Sequence, residues 1–124
     1  MLGATNIIAF IPTRDPAKAR EFYEGVLGLR FVKDDGFAMV LDANGIMVRV
    51  AKAPDFQPLP FTVLGWQVVG IEKVVAALQG AGVQFERFSF LEQDKLGIWT
   101  AHSGDKVAWF KDADGNMLSV SQHV

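Results

Sequence analysis

The sequence predicts an α+β fold: two βαβββ modules whose curved mixed sheets form a cup, with the helices on the outer face. Three observations carry that prediction. LDANGIMVRV, beginning at Leu41, and KDADGNMLSV, beginning at Lys111, are nearly the same segment written twice. They share Asp42/Asp112, Ala43/Ala113, Gly45/Gly115, Met47/Met117 and Val50/Val120, and in each an Asp-Ala-x-Gly turn feeds an apolar strand, as in a hairpin. Each copy also closes a longer unit that opens with an unbroken apolar run and an amphipathic helix, so one module is used twice. Between the units lies APDFQPLP, residues 53–60, which holds three of the five prolines. Proline removes backbone donors and fixes φ, so this segment is a semi-rigid crossover. The chain is predicted to be one domain, with modules at about 1–52 and 61–124 and the linker at 53–60.

In chain order, NIIAFIP (6–12) does not alternate apolar with polar residues, which predicts a strand covered on both faces. Asp15-Pro16 opens a helix, because Asp15 can accept backbone N–H groups as N-cap and Pro16 suits the first helical position. Ala19, Phe22, Tyr23, Val26 and Leu27 fall on one helical face, and Lys18, Arg20, Glu21 and Glu24 on the other. Gly28 stops that helix, with Leu29 placed to close its C-terminal cap. Strands are predicted near 30–34, 36–42 and 45–52. In the second module FTVLGWQVV (61–69) repeats the doubly covered strand, and a helix runs from Gly70 to Gly82 with Val74, Ala77, Leu78 and Ala81 inward. Strands near 83–90, 96–102, 106–111 and 116–122 complete the unit, interrupted at Glu92-Gln93-Asp94.

At 124 residues the chain can bury a core without disulfides or a structural metal. A net charge of −2 gives no electrostatic case for nucleic acid, which calls for a basic face. The absence of cysteine removes disulfides, thiolate ligands and a cysteine nucleophile, and it fits the cytoplasm. No basic segment followed by a long apolar run opens the chain, and no stretch approaches the roughly 20 apolar residues of a membrane span. A cytoplasmic protein with neither nucleic-acid nor membrane partners is expected.

DPAKAREFYEGVLGL, beginning at Asp15, resembles the helix of the vicinal oxygen chelate superfamily, which includes glyoxalases, bleomycin-resistance proteins and extradiol dioxygenases. WFKDADGNMLSV, beginning at Trp109, resembles the closing hairpin of that superfamily. The resemblance covers essentially the whole chain and implies the paired βαβββ order. It also implies a divalent metal held by His, Glu or Gln on four strands, and a homodimer. The positions implied for those ligands are Ile8, Arg49, Val63 and Ser119. Isoleucine and valine have no lone pair to donate, serine is a poor ligand and arginine repels a cation. The neighbouring residues Ile7, Ala9, Thr62, Leu64, Leu118 and Val120 add only one threonine oxygen, so no metal and no cofactor are expected.

Other residues carry candidate chemistry. Strand alternation places Arg49 with Met47 and Ala51 toward the cup, where a guanidinium suits a carboxylate or phosphate. The alternative is an arginine salt-bridged to Glu86, Glu92 or Asp94. Gln67 shares the parity of Val63 and Gly65, and either orients a ligand or bonds a neighbouring strand. Gly65 either leaves room for a bound molecule or marks a bend. Ser119, Ser121 and His123 alternate along one face of the last strand, a polar wall ending in a titratable group. Yet His123 is penultimate, where fraying is expected, and His102 precedes a Ser-Gly turn. Phe10, Phe37, Trp99 and Trp109 suit a stacking surface if they converge, and core if they do not. No Gly-rich phosphate loop, nucleophile elbow or metalloprotease helix is present.

The leading expectation is a small-molecule binding protein without the metal, lined by Phe10, Arg49, Gln67, Trp99 and Ser119, with no catalytic residue assigned. One rival is a metal-dependent lyase, isomerase or dioxygenase using His102, His123 and Glu86. Another is a structural or partner-binding module.

Overall fold

The computed structural model of the chain describes residues 1–124, which form two compact units, Met1–Gln57 and Pro58–Val124. In the first, strand β1 (Ile8–Thr13) leads into helix α1 (Pro16–Arg20), which continues as a π-helical segment (Glu21–Val26). Strands β2 (Arg30–Asp34), β3 (Ala38–Ala43) and β4 (Ile46–Lys52) follow. The second runs β5 (Thr62–Gln67), α2 (Ile71–Gly80), β6 (Trp99–Thr100), β7 (Lys106–Lys111) and β8 (Met117–Gln122). Each unit is thus βαβββ and α+β. The sheets are ordered β1-β4-β3-β2 and β5-β8-β7-β6. In both, the first strand pairs parallel with the last and the remaining pairs are antiparallel. The duplicated sequence and the duplicated topology coincide.

Local chemistry explains the element ends. Thr13 Oγ1 accepts the Asp15 N–H at 3.1 Å and Asp15 Oδ1 accepts the Lys18 N–H at 3.2 Å, capping α1 just before Pro16. The π-helical widening shows in the Leu27 N–H, which donates to the Phe22 carbonyl at 2.9 Å. Gly28, at φ +79°, then turns the chain so that the Leu29 N–H reaches the Tyr23 carbonyl at 2.9 Å. Strand β3 begins at Ala38, two residues later than the sequence predicts. The carboxylates of Asp34 and Asp35 capture the N–H groups of Gly36, Phe37 and Ala38 in a turn.

Three further expectations are corrected. The strand predicted at 83–90 does not form, and the one at 96–102 shrinks to Trp99–Thr100. This backbone is satisfied by side chains instead of a ladder. Gln93 accepts the Phe88 N–H at 2.8 Å and donates to the carbonyls of Glu86 (2.9 Å) and Gly97 (2.8 Å). The Arg87 guanidinium donates to the carbonyls of Asp94 and Lys95. Helix α2 buries Ile71 and Val75 completely, while Ala77 and Ala81, predicted inward, are exposed. Gln122 Oε1 accepts the Ile71 N–H at 3.0 Å, which fixes the helix start against β8 and turns the 71/75 stripe onto the sheet. Finally, the opening strands are covered on one face only. Phe10 on β1 is 63% and Val63 on β5 37% exposed, because each sheet has a single helix and that helix covers the opposite face.

The cores follow from this parity. In the first unit Ile11, Tyr23, Leu41, Val48 and Val50 are buried; in the second Ala108, Phe110, Leu118 and Val120 join Ile71 and Val75. Phe110, completely buried, stacks with the half-buried Trp66 at 6.4 Å and meets the half-buried Phe85 edge-on at 5.4 Å.

Candidate functional site

In the first unit, the sheet face turned away from the core carries Ile8 and Phe10 on β1 and Met47, Arg49 and Ala51 on β4. Phe10 and Arg49 are direct partners in the parallel register, with Val40 beside Arg49 on β3. Arg49 is not paired with Glu86, Glu92 or Asp94, the partners the sequence suggests. Its Nη2 lies 2.7 Å from Oδ2 of Asp35 in the β2–β3 turn, and its side chain is 22% exposed. That hydrogen bond, with the N–H groups of Ala38 and Phe37 on the other carboxylate oxygen, lowers the Asp35 carboxyl to about 2. Phe37 is exposed at this turn.

In the second unit the equivalent face is organised in two rows. Gln67, Ser121, Val107 and Trp99 are successive register partners across all four strands, and Gly65, Ser119 and Trp109 form the row beside them. Three residues expected at the site, Gln67, Trp99 and Ser119, therefore share one face of one sheet. Trp99 and Trp109 are tilted partners at 6.1 Å, Phe88 meets Trp109 edge-on at 5.5 Å, and Phe90 lies 5.6 Å from Phe88. This aromatic series continues into a groove of about 240 Å³ bounded by Phe61, Phe90, Leu91 and Met117. Phe88 and Phe90 are not among the site residues expected from the sequence, which places them on a strand at 83–90 that does not form. Gly65 is explained by packing: a Cβ there would stand 2.6 Å from Ser119 Oγ.

The polar end of the face is also ordered. His123, expected to fray, is held from both sides. Its Nε2 lies 2.9 Å from Ser121 Oγ and its Nδ1 3.0 Å from Asp105 Oδ2. Asp105 Oδ1 accepts the Val124 N–H at 2.9 Å, and this bond followed by the one to His123 lowers the Asp105 carboxyl below its usual range. His102 is exposed in the turn after β6.

The positions implied for a metal do not fit one. Ile8 and Val63 offer hydrocarbon, Arg49 offers a cation already paired with Asp35, and Ser119 supplies the only oxygen. Nowhere do three or more His, Asp or Glu side chains gather as a metal site would require. Of the alternative set, Glu86 lies 3.6 Å from Lys111, His123 is engaged by Asp105, and His102 joins neither. No helix is long and apolar enough to cross a membrane.

Residues 5–120 match the model of the glyoxalase/bleomycin resistance protein/dioxygenase superfamily. No curated protein matches the sequence. Among solved structures the chain resembles a glyoxalase family protein from Enterococcus faecalis, at 20% identity and TM-score 0.75, over 98% of this chain and 99% of that one. A superfamily member from Sphaerobacter thermophilus gives 20% identity and TM-score 0.76, over 99% of this chain and 100% of that one. A bleomycin-binding protein complexed with bleomycin gives 20% identity and TM-score 0.75, over 98% of this chain and 100% of that one. At such identity the likeness concerns the fold alone.

Proposed function

The chain belongs to the glyoxalase/bleomycin resistance protein/dioxygenase superfamily, and from that premise we propose that it binds a small organic molecule, anionic or aromatic in character, without a metal. The observation that carries this reading is the aromatic series Phe90–Phe88–Trp109–Trp99, which runs beside Gln67 and Ser119 on one sheet face. A planar body stacks on the half-buried indole surfaces and the exposed ring of Phe90, and the Gln67 amide and Ser119 hydroxyl orient its polar groups. On the first unit, Phe10 beside Arg49 offers the same pairing of ring and polar donor, with Asp35 holding one guanidinium nitrogen and the others turned to an anion. The similar fold that holds bleomycin supports an organic ligand. The donor chemistry of Ile8, Arg49, Val63 and Ser119 supports the loss of the metal. A homodimer belongs to the same proposal, supported by the exposed apolar residues Ile8 and Phe10 on β1 and Val63 on β5, strands whose sequence suits two covered faces.

Titration with bleomycin and with 8-anilinonaphthalene-1-sulfonate, followed by tryptophan fluorescence, tests the binding face. Trp99 and Trp109 lie on the proposed binding face while Trp66 packs against Phe110 on the other, so the quenching should fall sharply in Trp99→Ala. Saturable binding that Trp99→Ala and Gln67→Ala leave unchanged would move the site elsewhere. Elemental mass spectrometry after loading with Mn, Fe, Ni and Zn should find near-zero metal, and one ion per chain would overturn the metal-free reading. Light scattering should give twice the 13.6 kDa chain mass.

A further inference from the structure

Ser121, His123 and Asp105 form a continuous side-chain relay that binding of an organic ligand does not require. Strand alternation places Ser121 and His123, two residues apart, on one face at the end of β8. Asp105 immediately precedes β7, the antiparallel neighbour, so the carboxylate is brought alongside by sheet pairing from 18 residues away. Its position is fixed by three contacts. Its carbonyl accepts the Ala101 N–H at 2.7 Å, its own N–H donates to Ser103 Oγ at 3.3 Å, and Oδ1 accepts the Val124 N–H.

The geometry also sets the tautomer. An ionised carboxylate only accepts hydrogen bonds, so His123 Nδ1 carries the proton shared with Asp105 Oδ2. In the neutral ring Nε2 then has a lone pair, and it faces Ser121 Oγ at 2.9 Å. The depressed carboxyl of Asp105 keeps the acceptor charged near neutral pH. Nucleophile, base and orienting carboxylate thus stand in the order and at the spacing that nucleophilic catalysis by a hydroxyl requires.

We propose that Ser121 is an acyl-accepting nucleophile and that the chain hydrolyses activated carboxylic esters, aryl esters above all. Gln67, the register partner of Ser121 on β5, is assigned as the donor to the developing carbonyl oxygen. Trp99 lies two strands away in the same row, roughly 10 Å by strand spacing, where an aryl leaving group stacks. The step balances within the site. Ser121 Oγ bonds to the ester carbonyl carbon as its proton passes to His123 Nε2. Collapse breaks the bond to the leaving oxygen, which takes that proton and departs as the phenol. Water then adds to the acyl-serine, giving a proton to Nε2. Ser121 Oγ leaves with that proton and the carboxylic acid is released. This activity shares Gln67 and Trp99 with the ligand-binding proposal but is tested separately from it, since covalent labelling of Ser121 requires no affinity for bleomycin or the naphthalene sulfonate.

Two probes test it: a fluorophosphonate label read by intact mass and peptide mapping, and p-nitrophenyl acetate hydrolysis. One adduct per chain, mapped to Ser121 and absent from Ser121→Ala, is expected. His123→Ala and Asp105→Asn should slow labelling and ester turnover by about 100-fold or more at unchanged circular dichroism, since a positioned base contributes about 10²–10⁴. Ser89→Ala, an exposed serine away from the relay, should label as the parent does. Labelling elsewhere, no labelling with no turnover above buffer, or ester hydrolysis that survives in Ser121→Ala would overturn the assignment. The last result would point to direct attack by the imidazole.

Discussion

Arg49 and Asp35, 14 residues apart, meet through a 2.7 Å hydrogen bond that ties strand β4 to the β2–β3 turn. The same carboxylate accepts the N–H groups of Phe37 and Ala38, so one side chain organises the turn and holds the cation. Its folded-state carboxyl is depressed to about 2, below the ordinary value of 3.8. A depressed carboxylate contributes stability that is present above the unfolded value and is lost as pH falls through the folded one. Acid unfolding should therefore steepen between about pH 4 and pH 2, and Asp35→Asn should flatten that part of the curve. Circular dichroism against pH for parent and variant checks this. Identical curves would remove Asp35 from the acid response.

Gly65 and Ser119 make a second prediction. A Cβ at residue 65 would lie 2.6 Å from the Ser119 hydroxyl, which must rotate away, and 3.4 Å from the Ser119 carbonyl. Gly65→Ala should cost about 1 kcal/mol, the scale of an off-rotamer side chain in a packed site. Adding Ser119→Ala should recover most of the loss, because the nearest remaining atoms are at ordinary contact distance. A urea double-mutant cycle measures the coupling, and strictly additive losses would place the strain elsewhere.

Phe110 is completely buried and packs against Trp66 and Phe85. Phe110→Ala should cost about 3–5 kcal/mol, the usual range for truncating a core phenylalanine. Denaturant unfolding followed by Trp66 emission would register the loss, and a change under about 1 kcal/mol would mean the cluster refills the space.

These residues also mark what the sequence discloses. The duplicated hairpin was legible because its turn is made locally. Asp112 Oδ1 accepts the N–H groups of Asp114 and Asn116 at 2.9 Å each, and Asp42 Oδ2 accepts the Gly45 N–H at 3.3 Å. The first helix was legible for the same reason, with Asp15 and Gly28 written at its ends. Asp35 and Asp105 were not identified as partners of Arg49 and His123, because strand pairing alone brings such distant residues together. The stretch from 83 to 98 was misjudged because its bonds run from side chain to backbone and leave no period to detect.

Gln93 is the centre of that stretch. Its amide oxygen accepts the Phe88 N–H, while its nitrogen donates to the Glu86 and Gly97 carbonyls. Three backbone groups depend on one half-buried side chain, and Phe88 in turn packs edge-on against Trp109. Gln93→Ala should cost roughly 2–3 kcal/mol, from three bonds at about 1 kcal/mol each with partial recovery by water. It should also loosen the aromatic series, reducing the near-ultraviolet circular dichroism of Trp99 and Trp109 before any global unfolding. Gln93→Glu separates the two functions of the amide: it keeps the acceptor for Phe88 but removes both donors. Expected stability is therefore intermediate between parent and Gln93→Ala. If Gln93→Glu matches the parent, the two carbonyl contacts contribute nothing, and the loop is held by Arg87 and its bonds to Asp94 and Lys95.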